Sequence, residues 1–73
     1  MYGDRIKELR EERGWSQHEL ANKLHCNPRT IGKYEQELLD LRTGNLIALC
    51  HIFQVSSDYI LGLEDETGAK IYR

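Results

Sequence analysis

Apolar residues recur along this chain at helical spacing, in five short blocks set apart by polar punctuation. Ile6 and Leu9 stand three apart, Asp4 offers an N-cap and Gly14 a stop, so a first helix is expected over 4–13. Ser16 is followed three residues later by Glu19, the signature of a reciprocal cap, and opens a second helix over 17–24 with Leu20, Ala21 and Leu24 on its inner face. Asn27 then Pro28 read as an N-cap and a first-turn proline, starting a third helix over 28–35 with Ile31 and Tyr34 turned inward. A mixed connection over 37–42 leads to a fourth helix, 43–53, where Leu46, Ile47, Leu49, Cys50 and Phe53 make the widest apolar stripe of the chain. That helix is expected to be the central one. Ser56, Ser57 and Asp58 cap a fifth helix over 57–61, carrying Tyr59, Ile60 and Leu61 and ending at Gly62. Residues 64–73 form a tail, acidic at first, in which 69–72 could add a strand to a dimer.

The second and third helices are joined by only 25–27, too few residues for an independent layout. Helices joined so tightly cross steeply, which is helix-turn-helix geometry, and Ala21 is small enough to let them approach. Leu20, Leu24, Cys26, Ile31 and Tyr34 then face one core. Pro28, Arg29, Gly32 and Lys33 fall on the opposite, outward face of the third helix.

At 73 residues the chain is read as one domain, 1–73, and the single proline and scarcity of β-branched runs make it all-α. Cys26 and Cys50 both lie in apolar-patterned segments and are read as reduced, buried thiols of a cytoplasmic protein. The start is charged from the fourth residue, unlike a signal peptide, and no apolar run approaches the ~18 residues of a membrane span. The net charge of −2 is unevenly spread. Residues 1–36 carry one more basic than acidic side chain, whereas 37–73 carry three more acidic than basic ones. The acid therefore gathers away from the outward face of the third helix.

The stretches RIKELREERGWSQHELANKL, NPRTIGKYE and VSSDYILG resemble the Xre/Cro-cI family of helix-turn-helix domains, in family order and spacing over about residues 5 to 62. Arg10, the Ser16-Gln17 start, Ala21, Ile31, Glu35, Val55-Ser56 and Asp58-Tyr59 carry the likeness together. The resemblance implies a compact five-helix bundle of the lambda repressor-like type and a sequence-specific DNA-binding regulator, a repressor, acting as a homodimer on a palindromic operator. It implies base contacts from Pro28, Arg29, Gly32 and Lys33, and phosphate contacts from Gln17, Thr30, Gln36 and Arg42. A helix N-terminus suits an anion near Gln17, and Arg29 and Lys33 can each donate to guanine in the major groove. Thr30 serves a phosphate or bonds back to its own helix. Gly32, which costs about 1 kcal/mol against alanine in mid-helix, reflects either close approach to DNA or drift. Arg10 and Glu35 are expected to pair, tying the reading helix to the first. Two positions depart from the family. His25 stands where glycine is common, and Glu37 and Asp40 put acid into a loop where relatives touch the DNA backbone.

Other chemistries find less support. His25-Cys26 and Cys50-His51 are adjacent pairs, and neighbours on a helix point about 100° apart, so no metal is expected. No nucleophile–base pairing or phosphate loop suggests an enzyme, a cofactor or a small-molecule substrate. The rival reading is a protein-interaction module, an antitoxin or anti-repressor partner domain that keeps the bundle without reading DNA. The dimer surface is expected around 59–63 or at Ile71 and Tyr72.

Overall fold

A computed structural model describes residues 1–65, 67 and 69. Among the described residues five helices follow one another: α1 (Tyr2–Glu12), α2 (Gln17–Leu24), α3 (Pro28–Glu35), α4 (Thr43–Phe53) and α5 (Ser57–Ile60). The sequence caps work as written. Ser16 Oγ accepts from the Glu19 amide at 3.1 Å, while Glu19 Oε1 accepts from the Ser16 amide at 3.1 Å. Asn27 Oδ1 accepts from the Arg29 amide at 2.9 Å and Ser56 Oγ from the Tyr59 amide at 3.1 Å. The start of α1 differs from expectation. The helix begins at Tyr2 with Met1 as an N-cap that makes no side-chain bond, so Asp4 lies inside the first turn. There its charge still complements the positive end of the helix dipole.

All five helices end the same way. A residue with left-handed backbone follows each: Gly14, His25, Glu37, Gln54 and Gly62. In each case the next amide turns back onto the last helical turn: Trp15 N–H to Arg10 O, Cys26 to Ala21, Leu38 to Lys33, Val55 to Cys50 and Leu63 to Asp58. This satisfies carbonyls that would otherwise lack a donor. His25 thus takes the left-handed role that glycine fills more readily, at φ 56°.

The core consists of Ile6, Leu9, Leu20, Ala21, Leu24, Ile31, Tyr34, Leu49, Phe53 and Ile60. Its centre is α3, which packs against both α1 and α2 and seals Ile31 and Tyr34 completely from solvent. The expectation that α4 is central is therefore corrected. Of its broad stripe only Leu49 and Phe53 are fully buried; Leu46, Ala48, Cys50 and Ile52 are half-buried, and Ile47 is 53% exposed. The reason is geometric. The α4 stripe is wider than the groove offered to it, so apolarity overstates depth. Trp15 joins the core edge by stacking on Phe53 with ring centroids 5.7 Å apart. Tyr59 is half-buried beneath the Arg5 guanidinium, 4.2 Å from its ring centre.

One close approach sets how near the start of α1 comes to α3. Gly3 is buried against the C-terminal end of α3, and a Cβ there would stand 2.4 Å from Glu35 O and 2.9 Å from Tyr34 O. No other residue type fits without moving backbone. Nearby, the Tyr2 hydroxyl donates to Leu39 O at 2.9 Å and pins the loop that follows α3.

Candidate nucleic-acid interface

The outward side of α3 begins at the Asn27 cap, whose bond to the Arg29 amide sets the first turn. Arg29 and Lys33, four residues apart, are both exposed and lie on one face of the helix. Ile31 and Tyr34 on the inner side hold the helix in the core, so the two cations project from a fixed base. The expected outward set does not project uniformly. Pro28, Thr30 and Gly32 are half-buried. A Cβ built on Gly32 would sit 3.7 Å from the Gln17 amide, so this glycine lies beneath the start of α2.

Gln17 itself is the first residue of α2, exposed, and its Nε2 donates to Glu35 Oε1 at 3.2 Å. Glu35 is held from the other side by Arg10. Arg10 Nε donates to Glu35 Oε2 at 2.7 Å and Nη2 to Oε1 at 3.1 Å, while Nη1 reaches Trp15 O at 2.8 Å. The two side chains are only 11% and 5% exposed. The Glu35 carboxylate, mainly by direct hydrogen bonding, pushes the Arg10 guanidinium above its ordinary range. The expected Arg10–Glu35 pair is thus present, forked and largely dry. Its link to Gln17 was not expected, because a helix-start glutamine carries no sequence mark of an inward bond.

A second group gathers beside α3. Thr30, Tyr34, Leu39, Arg42 and Asn45 line a hollow of about 240 Å³ with Cys26 at its edge. Asn45 Nδ2 donates to the Tyr34 hydroxyl at 2.6 Å, satisfying the polar end of a buried ring. Thr30 and Arg42, both expected at phosphates, therefore open on the same hollow, whereas Gln36 and Asp40 are exposed on the adjoining loop and Glu37 is half-buried. Asn45 escaped the sequence reading, since an early-helix asparagine reads as solvated until the Tyr34 hydroxyl is placed beside it.

Cys26 and Cys50 are free and half-buried, and burial pushes both thiols up. A thiol raised in this way is a poorer nucleophile at neutral pH. Among the described residues no three His, Cys, Asp or Glu side chains gather as a metal site, and no helix is long and apolar enough to cross a membrane. Of the two expected dimer surfaces, the one around 59–63 is mostly covered: Ile60 is buried, Tyr59, Leu61 and Gly62 are half-buried, and Leu63 is 37% exposed. Ile71 and Tyr72, with the strand expected over 69–72, lie outside the described residues apart from Ala69.

Comparison with known proteins agrees with this architecture. The chain is 38% identical over 68 residues to the HTH-type transcriptional regulator ImmR of Bacillus subtilis strain 168, covering 93% of this chain and 53% of that protein. It therefore spans about half the length of that relative. The crystal structure of SinR, master regulator for biofilm formation, in complex with DNA superposes with a TM-score of 0.75 at 31% identity, over 84% of this chain and 98% of that one. The P22 c2 repressor bound to a synthetic operator superposes with a TM-score of 0.78 at 27% identity, over 82% of this chain and 91% of that one. The family model for the helix-turn-helix matches residues 6–60, and with it the five-helix order, the tight turn after α2 and the anchored α3 are accounted for: this chain belongs to the helix-turn-helix family.

Proposed function

We propose that this chain is the DNA-reading head of a sequence-specific transcriptional regulator, a repressor, that works in the cytoplasm as a homodimer on a palindromic operator. The observation that carries the reading is that Arg29 and Lys33 stand uncovered on one face of a helix whose other face is locked in the core. In this reading α3 enters the major groove. Arg29 and Lys33 donate to guanine edges, and Pro28 and Gly32 allow close approach. Gln17, Thr30, Gln36 and Arg42 hold phosphates on either side, fixing register without reading sequence. Two heads about one helical turn apart would read both halves of a palindrome. The chain's part is recognition and not catalysis.

Selection of bound duplexes from a random pool tests the reading, followed by titration of variants on the selected site. Lys33→Ala is expected to relax base preference, with discrimination falling by about 1–3 kcal/mol at one position. Gln17→Ala is expected to weaken binding to all duplexes alike. Affinity should fall with salt at a slope near −0.9 per phosphate contacted. Equal losses on every sequence for both variants would refute the division of roles. Absence of binding to any duplex at low salt would transfer the case to the protein-interaction reading, for which Leu38, 71% exposed in the acidic loop, is the natural anchor.

A further inference from the structure

We propose that Tyr2 is a positioning residue for DNA binding: its hydroxyl latches the loop 36–42, so that Arg42 meets a phosphate while the acids of that loop stay beside α1. The inference rests on the DNA-reading proposal above. The loop has little else to hold it. Among the described residues, 39–41 make one hydrogen bond, the one that Leu39 O accepts from the Tyr2 hydroxyl at 2.9 Å. Leu41 adds apolar contact at the core edge, whereas Leu38, Leu39 and Asp40 are exposed. Tyr2 is firmly based, with its side chain packed on the core and its backbone in the first turn of α1. The latched residue matters because Leu39 lines the hollow on which Thr30 and Arg42 open. The acids matter as well. Glu37 Cγ lies 2.9 Å from where a Cβ on Gly3 would stand, and both Glu37 and Asp40 act on the Tyr2 phenol. Burial first, and then those two carboxylates, push the phenol up, so it stays a protonated donor at neutral pH. Freed from the latch, the exposed run 38–40 would let the Asp40 carboxylate swing toward the hollow. There it would repel a phosphate and compete for Arg42. The latch thus explains how a loop with two acids can lie against a DNA backbone.

Tyr2→Phe keeps the ring and removes only the latch. Affinity for a mixed-sequence duplex at low salt, and for the duplex selected from a random pool, is measured for the full chain and for Tyr2→Phe, Asp40→Asn and Arg42→Ala. The two double variants that join Tyr2→Phe to Asp40→Asn and to Arg42→Ala complete the set. Loss of one directed hydrogen bond is expected to weaken Tyr2→Phe by about threefold to tenfold on both duplexes, with base preference unchanged. With Arg42 already removed, Tyr2→Phe should cost less than about twofold, the margin within which independent sites add. Asp40→Asn should raise affinity at least about threefold more in the Tyr2→Phe background than in the unmodified chain, a coupling that independent sites do not show. A hydroxyl that merely stabilises the fold would lower the melting temperature and leave affinity, measured well below it, unchanged. That result would overturn the inference, as would additive effects of Tyr2→Phe with both Arg42→Ala and Asp40→Asn. An unmodified chain that binds no duplex would sink the DNA-reading proposal itself, an outcome distinct from all of these.

Discussion

The two halves of the molecule solve different problems. From α1 to α3 the helices are tied by directed polar contacts as well as by core packing. The Ser16–Glu19 box, the Asn27 cap and the Arg10–Glu35–Gln17 chain each fix an angle or a register. From the loop after α3 to α5 the chain also has directed bonds, Tyr2–Leu39, Asn45–Tyr34, Arg13–Phe53 and the Ser56 cap, but part of its apolar cover stays outside. Leu38 is 71% exposed, Ile47 53% and Leu63 37%. The difference teaches what each half must do. If α3 presents side chains to a groove, as proposed, it has to be immobile to within fractions of an ångström, which hydrophobic contact alone does not define. A helix that only closes a core tolerates slack, and its surplus apolar positions cost little where they are.

The comparison is open to direct attack, beginning with one residue type in its two settings. Ile31→Ala in α3 is expected to lower stability by about 2–5 kcal/mol, the cost of a cavity in a sealed site. Chemical denaturation with an unchanged m-value measures it. Gly3→Ala follows, at about 1–3 kcal/mol, because backbone of α3 must move to admit the methyl group. Its signature beyond stability is altered amide chemical shifts at Tyr34 and Glu35. Ser16→Ala is expected to cost about 1 kcal/mol through loss of the reciprocal cap, read as a lowered melting temperature. Ile47→Ala on the open side of α4 is expected to stay within about 0.5 kcal/mol. If Ile47→Ala costs as much as Ile31→Ala, the contrast between the halves fails.

Features whose cause is local were legible in the sequence. Ser16 with Glu19, Asn27 with Pro28 and Ser56 ahead of Tyr59 mark helix starts by their own chemistry, and α2, α3 and α4 stand where those marks and the apolar spacing put them. The inward set of α3, Ile31 and Tyr34, follows from spacing alone, and with it the outward place of Arg29 and Lys33. What was missed depends on partners distant in the chain. Gly3 is required by carbonyls more than thirty positions away, the Gln17–Glu35 bond spans two helices, and Asn45 acquires its role only once the Tyr34 hydroxyl is placed. The rank of α4 was misjudged for the same reason, since hydropathy measures preference for burial and not the space available. Glu37 and Gln54 were invisible as helix stops because the usual mark is glycine, and neither is one.

Those stops carry a practical consequence. Three of the five left-handed positions, His25, Glu37 and Gln54, are held by residues with a side chain that disfavours that geometry. Set against the greater chain entropy of glycine, exchange at each to glycine should return roughly 0.5–1 kcal/mol. In a domain of this size about 1 kcal/mol moves the melting point by about 4–8 °C. The fold thus contains a thermostat with three settings. Each can be turned without replacing a buried side chain or either of the two exposed cations of α3.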